Sequence, residues 1–213
     1  MKIEVKNLSK KFKNNYAVKD VSVTFKSGNI YGITGRNGSG KTVFLKMLCA
    51  FYFPTEGHIL QDGYNYIKNN SFPKDTRALI DGPDFIPELS GFENLKLISS
   101  IQNKINDDVI NKYLNLFNLS NFKNKKYSEY SMGMKQKLGI IQALMEDPKF
   151  IILDEPFNGV DEKSVSNIKN ILLEEKEKNK IIIITSHIKE DIEQLANIKY
   201  HFEDGKLQKT DEK

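Results

Sequence analysis

The chain has 213 residues, 39% of them hydrophobic and 28% charged, enough apolar material for a buried core and too much for a wholly disordered polymer. The 32 Lys and Arg against 28 Asp and Glu leave a net charge of +4, an excess too small to demand nucleic acid. A single cysteine, Cys49, excludes an internal disulfide framework and fits a reducing cytoplasm, and no apolar run approaches the roughly 18 residues that a membrane helix needs. The N-terminal stretch MKIEVKNLSKKF lacks the apolar core of a signal peptide, so the chain is expected neither to span a membrane nor to be exported.

Residues 2–8 and 18–26 alternate apolar and polar, which predicts half-buried antiparallel strands. Ser27-Gly28-Asn29 reads as a turn, and residues 30–34 as a short buried strand. A helix over 41–52 follows, with Phe44, Leu45, Leu48 and Cys49 on one face and Pro54 as its stop. Short strands are expected near 58–61 and 77–81. Residues 91–118 carry helical spacing throughout, and 132–146 form a further helix. Then come an apolar strand at 150–153, a helix at 162–177, a second apolar strand at 181–185, a short helix and a terminal hairpin turning at Asp204-Gly205. Fully apolar strands alternating with helices predict a parallel α/β sheet. The stretch 87–146 is almost without strand signal and reads as a helical insertion. Its KNKK run at 123–126 reads as an exposed turn. No internal repeat or low-complexity linker is present.

Two stretches carry chemistry. Gly35-Arg36-Asn37-Gly38-Ser39-Gly40-Lys41-Thr42 matches G-x-x-x-x-G-K-[ST], between a predicted strand and a predicted helix. Glycines let the backbone wrap closely around phosphates, and the following helix points its positive end at the anion. Lys41 is expected to reach the outer phosphates and the Thr42 hydroxyl to ligate Mg²⁺. The second stretch, Phe150-Ile151-Ile152-Leu153-Asp154-Glu155, delivers two carboxylates to the carboxyl edge of a buried strand, where α/β folds bind ligands. Asp154 is expected to hold Mg²⁺, and Glu155 to orient or deprotonate an attacking water.

With these motifs in place, the segment from Tyr130 to Leu138 resembles the signature of the ATP-binding cassette (ABC) ATPases, usually written LSGGQ. Asn158-Gly159-Val160-Asp161 resembles that family's D-loop, and Ser186-His187 its switch histidine. The order of the motifs covers essentially the whole chain. The resemblance implies an α/β fold: a P-loop (RecA-like) core over 1–86 and 147–213, an antiparallel β subdomain at its N-terminal end, and an inserted helical subdomain over 87–146. It implies ATP and Mg²⁺ as ligands. The residues expected on ATP are Phe12, Arg36, Asn37, Gly38, Ser39, Gly40, Lys41, Thr42 and Val43. Phe12 stands where the family stacks an aromatic on adenine, with Tyr16 as runner-up, while Arg36 and Asn37 contribute mainly backbone. Glu155 and His187 are the expected catalytic pair. Ser131, Gly133 and Met134 are expected to act on the nucleotide of a second, head-to-tail ATPase subunit, and Asp161 to shape that interface. Without the resemblance, Ser131 and Asp161 read as plain helix caps. His58 and His201 read as surface or sheet residues.

The resemblance also implies separate membrane-spanning subunits, docked near 81–89 and the helical insertion, with the chain peripheral on the inner face of the cell membrane. Two departures stand out. Asp81 occupies the place of a glutamine and is expected to meet Mg²⁺ or its water, and Met132 and Met134 replace the first signature glycine and the signature glutamine. The run YSMGMKQ resembles bacterial subfamilies that export antibiotics, bacteriocins or other drugs. Two rivals are a soluble ABC protein of nucleic-acid maintenance or translation and an ATP-binding regulatory module with weak turnover. Too few residues separate Lys41 from Ser131 for the coiled-coil arm of the first, and an intact Glu155 and His187 weigh against the second.

Overall fold

A computed structural model describes residues 1–212, the last two by their backbone alone. Its strands are β1 (Lys2–Phe12), β2 (Asn15–Lys26), β3 (Asn29–Thr34), β4 (Glu56–Gln61), β5 (Thr76–Leu79), β6 (Phe150–Leu153), β7 (Ile181–Ser186), β8 (Ile198–Glu203) and β9 (Lys206–Glu212). Its helices are α1 (Lys41–Leu48), α2 (Gly91–Gln102), α3 (Asp107–Leu116), α4 (Met132–Leu144), α5 (Glu162–Glu177) and α6 (Lys189–Leu195). Among the described residues no helix is long and apolar enough to cross a membrane.

The strands form two sheets. One is antiparallel, in the order β2-β1-β4; the other runs β5-β6-β7-β3-β8-β9 and is parallel except for β9, which hairpins back onto β8. Every residue of β6 and β7 is buried, which is why both strands read as unbroken apolar runs. Their side chains alternate between two cores. Ile30, Ile151, Leu153, Ile182 and Ile184 face the layer holding α2 to α6. Tyr31, Ile33, Phe150, Ile152, Ile181 and Ile183 face α1 and the antiparallel sheet. Gly32 of β3 permits the close seating of α6, because a Cβ there would stand 2.2 Å from Ile192 Cγ2.

Two helices are shorter than the periodicity predicts. Helix α1 stops at Leu48 because Ala50 turns left-handed (φ 59°), with Ala50 N–H donating to Met47 O at 3.0 Å and Phe51 N–H to Lys46 O at 2.9 Å. This is a Schellman ending with alanine where glycine is usual. The predicted run over 91–118 is two helices. Asn103 closes α2 in the left-handed region (φ 50°), and the Asn106 side chain caps α3 by accepting from Val109 N–H at 3.2 Å. Ser90 and Glu93 form a capping box at the start of α2. The helices between 87 and 146 share one apolar core, with α4 packed on β5 and β6 and with α2 and α3 packed on α4.

Candidate functional site

The site lies where the parallel strands end. Strand β3 runs through residues 35–40 into α1, and β6 and β7 bring Asp154, Glu155 and Ser186-His187 to the same edge. Residues 37, 38 and 40–43 of the loop join Ala17, Asp154 and Glu155 around a pocket of about 340 Å³. Gly40 starts α1 at φ 112°, and a Cβ there would meet Ala17 O at 2.1 Å, so only glycine keeps the loop against β2. Lys41 is buried, and its ammonium donates to Gly35 O at 2.7 Å and Arg36 O at 3.1 Å. A cation is thereby fixed at the mouth of a helix whose first turn carries no acid.

The two sequence motifs are joined directly. Thr42 Oγ1 donates to Asp154 Oδ2 at 2.7 Å, and Thr185 Oγ1 of β7 donates to Asp154 Oδ1 at 2.5 Å. The same Thr185 hydroxyl accepts from Glu155 N–H at 2.9 Å. Glu155 sits in the left-handed region (φ 49°), with its carbonyl accepting from the buried Gln136 amide of α4 at 3.1 Å. Its Oε2 receives His187 N–H at 3.2 Å and His187 Nδ1 at 2.8 Å. A carboxylate only accepts, so Nδ1 carries the proton of that bond. Glu155 Oε1 is buried 4.0 Å from Lys41 Nζ, without a hydrogen-bond partner among the described residues. An orphaned acidic oxygen beside a fixed ammonium and a Gly-rich loop is equipped to bind a phosphate chain and take a proton next to it.

The other expected residues are placed as follows. Phe12 does not line the pocket; half-exposed near the tip of the β1–β2 hairpin, its ring meets Tyr52 edge-on at 5.7 Å. Tyr16 lies on the same hairpin beneath the ammonium groups of Lys11 and Lys19. Ser131 caps α4 by accepting from Met134 N–H at 3.3 Å, and its neighbour Met132 packs on Gly159 although 67% exposed. Gly133 lies against the Gly159 carbonyl, so the signature and D-loop segments touch within one chain. Asp161 caps α5 through Ser164 N–H at 2.9 Å, and the hydrogen bonds it accepts from Ser164 lower its pKa. His201 belongs to β8, where its Nδ1 is 3.0 Å from Thr34 Oγ1.

Asp81, expected near Mg²⁺, follows β5 toward the same sheet edge. Its carboxylate pairs with Lys46 of α1, not with Thr42 or any other member of the Asp154 group. The hydrogen bond and charge of Asp81 raise the pKa of Lys46. The reason is helical geometry: Thr42 and Lys46 are one turn apart on the same face of α1, so one side chain reaches Asp154 and the other reaches Asp81.

Sequence reasoning missed Ala17, Lys46, Gln136 and Thr185 as site residues. Only Gln136 had a signal, its place in the signature-like segment.

A family model described as ABC transporter matches residues 18–158. An uncharacterized ABC transporter ATP-binding protein of Bacillus subtilis (strain 168) is 44% identical over 209 residues, which span 98% of this chain and 96% of that protein. A bacitracin transport ATP-binding protein of Enterococcus faecalis is 37% identical over 92% of this chain and 64% of its own length. The dimeric structure of a bacterial ABC transporter cassette superposes with a TM-score of 0.90, covering 99% of both chains at 23% identity, which speaks to the fold alone. With the phosphate loop, acidic strand end and histidine assembled at one sheet edge, the chain belongs to the ABC transporter family, as one of its ATP-binding and ATP-hydrolysing subunits.

Proposed function

We propose that Glu155 is the general base of this ATPase, and that the chain drives export of an antibiotic-like or peptide substrate through separate membrane subunits. The observation that supports the catalytic reading is the joined network Thr42–Asp154–Thr185–Glu155–His187, with one Glu155 oxygen tethered and the other, near Lys41, without a hydrogen-bond partner among the described residues in the phosphate-loop pocket. Loop N–H groups and Lys41 hold the triphosphate, and His187 fixes Glu155 Oε2. Glu155 Oε1 takes a proton from the attacking water as its oxygen bonds to Pγ and the bond from Pγ to the bridging oxygen breaks, leaving ADP and phosphate.

Thr42 Oγ1 and Asp154 suit Mg²⁺, a hard cation that takes few protein oxygens and completes its shell with phosphate and water; no cluster of three or more His, Cys, Asp or Glu able to hold a metal occurs among the described residues. Bound there, Mg²⁺ supplies neutralisation of phosphate charge.

Ser131, Gly133 and Met134 act on ATP held by a second subunit paired head to tail, and the chain works at the inner membrane face. The membrane subunit docks at the groove of about 350 Å³ lined by Asp84, Phe85, Ile86, Pro87, Asn94, Leu97 and Ile98, with residues 87–146 moving as a helical subdomain. Export of an antibiotic-like cargo rests on likeness to the bacitracin transport relative and on the YSMGMKQ run.

The decisive variant is Glu155→Gln. We expect turnover to fall about 10²- to 10⁴-fold while Mg–ATP binding persists and a closed dimer accumulates on gel filtration. Full turnover, or loss of nucleotide binding, would remove Glu155 from this role. Copurification with nucleic acid in place of a membrane protein would overturn the transporter assignment.

A further inference from the structure

We propose that Lys46 is a positioning residue that holds Asp81 away from the Thr42–Asp154 pair and cancels its charge, so that the acid at the coupling turn acts toward Mg–ATP as a neutral group. The inference rests on the ATPase reading above.

Three acidic residues follow the ends of the neighbouring strands β5 and β6. Asp154 and Glu155 follow β6, and Asp81 follows β5 two residues past Leu79, whose carbonyl accepts from Asp154 N–H at 2.8 Å. A third free negative charge there would draw Mg²⁺ to the site and repel a phosphate chain that arrives without it. Lys46 answers it from the phosphate-binding helix itself. Its ammonium pairs with Asp81 and stands 5.4 Å from the Tyr52 ring centroid, and the Tyr52 ring in turn meets Phe12 edge-on. Asp81 is left-handed (φ 62°), as is Gly82 after it (φ 86°), so the backbone makes a tight turn where the pair forms. Beyond the turn the chain enters Asp84, Phe85 and Ile86 and then α2. This ion pair thus connects α1 to the segment leading into the helices. Asp81 is 57% and Lys46 22% exposed, so the pair adds little to stability; its effect falls on where the Asp81 charge sits.

The test is ATP binding by the full chain, measured by calorimetry against Mg²⁺ concentration, for Lys46→Gln, Asp81→Asn, the double variant and Lys46→Arg. Release of Asp81 in Lys46→Gln lowers the Mg²⁺ needed for half-maximal ATP binding about fivefold. Asp81→Asn alone, the double variant and Lys46→Arg stay within about twofold of the natural protein. The inference fails if Lys46→Gln leaves the Mg²⁺ requirement unchanged, or if its shift survives in the double variant. It also fails if Asp81→Asn alone raises the requirement, since Asp81 would then be a metal ligand in the natural protein. Should Lys46→Gln not fold, Lys46→Met takes its place with the same expected shift and the same ways to fail. Failure of the natural protein to bind Mg–ATP, or unchanged affinity in Lys41→Ala, would instead sink the ATPase site itself.

Discussion

Helices α1 and α4 both begin without an acidic residue in the first turn, yet they begin differently. Helix α1 starts on Gly40 with no side-chain cap, and its first residue, Lys41, is buried against loop carbonyls. Helix α4 starts on Ser131, whose hydroxyl already accepts from Met134 N–H, and the exposed Met132 follows. The first start is enclosed by its own loop and strand and is shaped to grip a ligand from within the chain. The second is a finished helix end, facing outward with its D-loop neighbour beneath it. A helix N-terminus attracts anions in either setting. What separates the two is whether the same chain supplies the rest of the cage.

Substitutions at the two starts should therefore fail differently. The largest effect is expected for Gly40→Ala, where a Cβ must displace the Ala17 carbonyl at a backbone angle alanine resists. ATP affinity should drop at least about 100-fold in the isolated chain, with far-ultraviolet dichroism retained; intact affinity would mean that the loop can widen. Ser131→Ala should be milder. Loss of the cap costs about 1 kcal/mol in thermal unfolding, and ATP binding by the single chain stays within about twofold. Dimerisation driven by ATP, measured in the Glu155→Gln background, should weaken roughly tenfold, and if single-chain binding collapsed instead, the contrast between the two starts would be false. The smallest signal concerns the far end of α1. Cys49 is buried, and desolvation pushes its thiol up to about 12, so alkylation at pH 8 should be negligible over hours in the native state and prompt in denaturant. Fast native labelling would show that this end of the helix opens.

Much of the site was legible because its chemistry is local in sequence. The loop at 35–42 encodes its own wrapping, and the apolar run at 150–153 announces a buried strand that must surface with its acids at the sheet edge. Helix ends were harder. The apolar spacing continues across 103–106, so the pattern hid a break made by Asn103 and the Asn106 cap, although Asn106-Asp107-Asp108 is a start signal. Ala50 gave no warning of its left-handed turn, because alanine favours helix. The contacts of Lys46 with Asp81 and of Thr185 with Asp154 are made between elements far apart in sequence. No periodicity encodes such pairs; they exist only once α1, β5, β6 and β7 are assembled.

The bond from the Gln136 amide to the Glu155 carbonyl has a wider reach than its 3.1 Å. One end sits on α4, the helix proposed to meet a neighbouring subunit's nucleotide, and the other on the proposed base. If two chains pair head to tail as proposed, a tug on α4 by one triphosphate would be felt at the opposite reaction centre. The two turnovers would then keep a common rhythm, and a pair with one side silenced would run its surviving side out of beat.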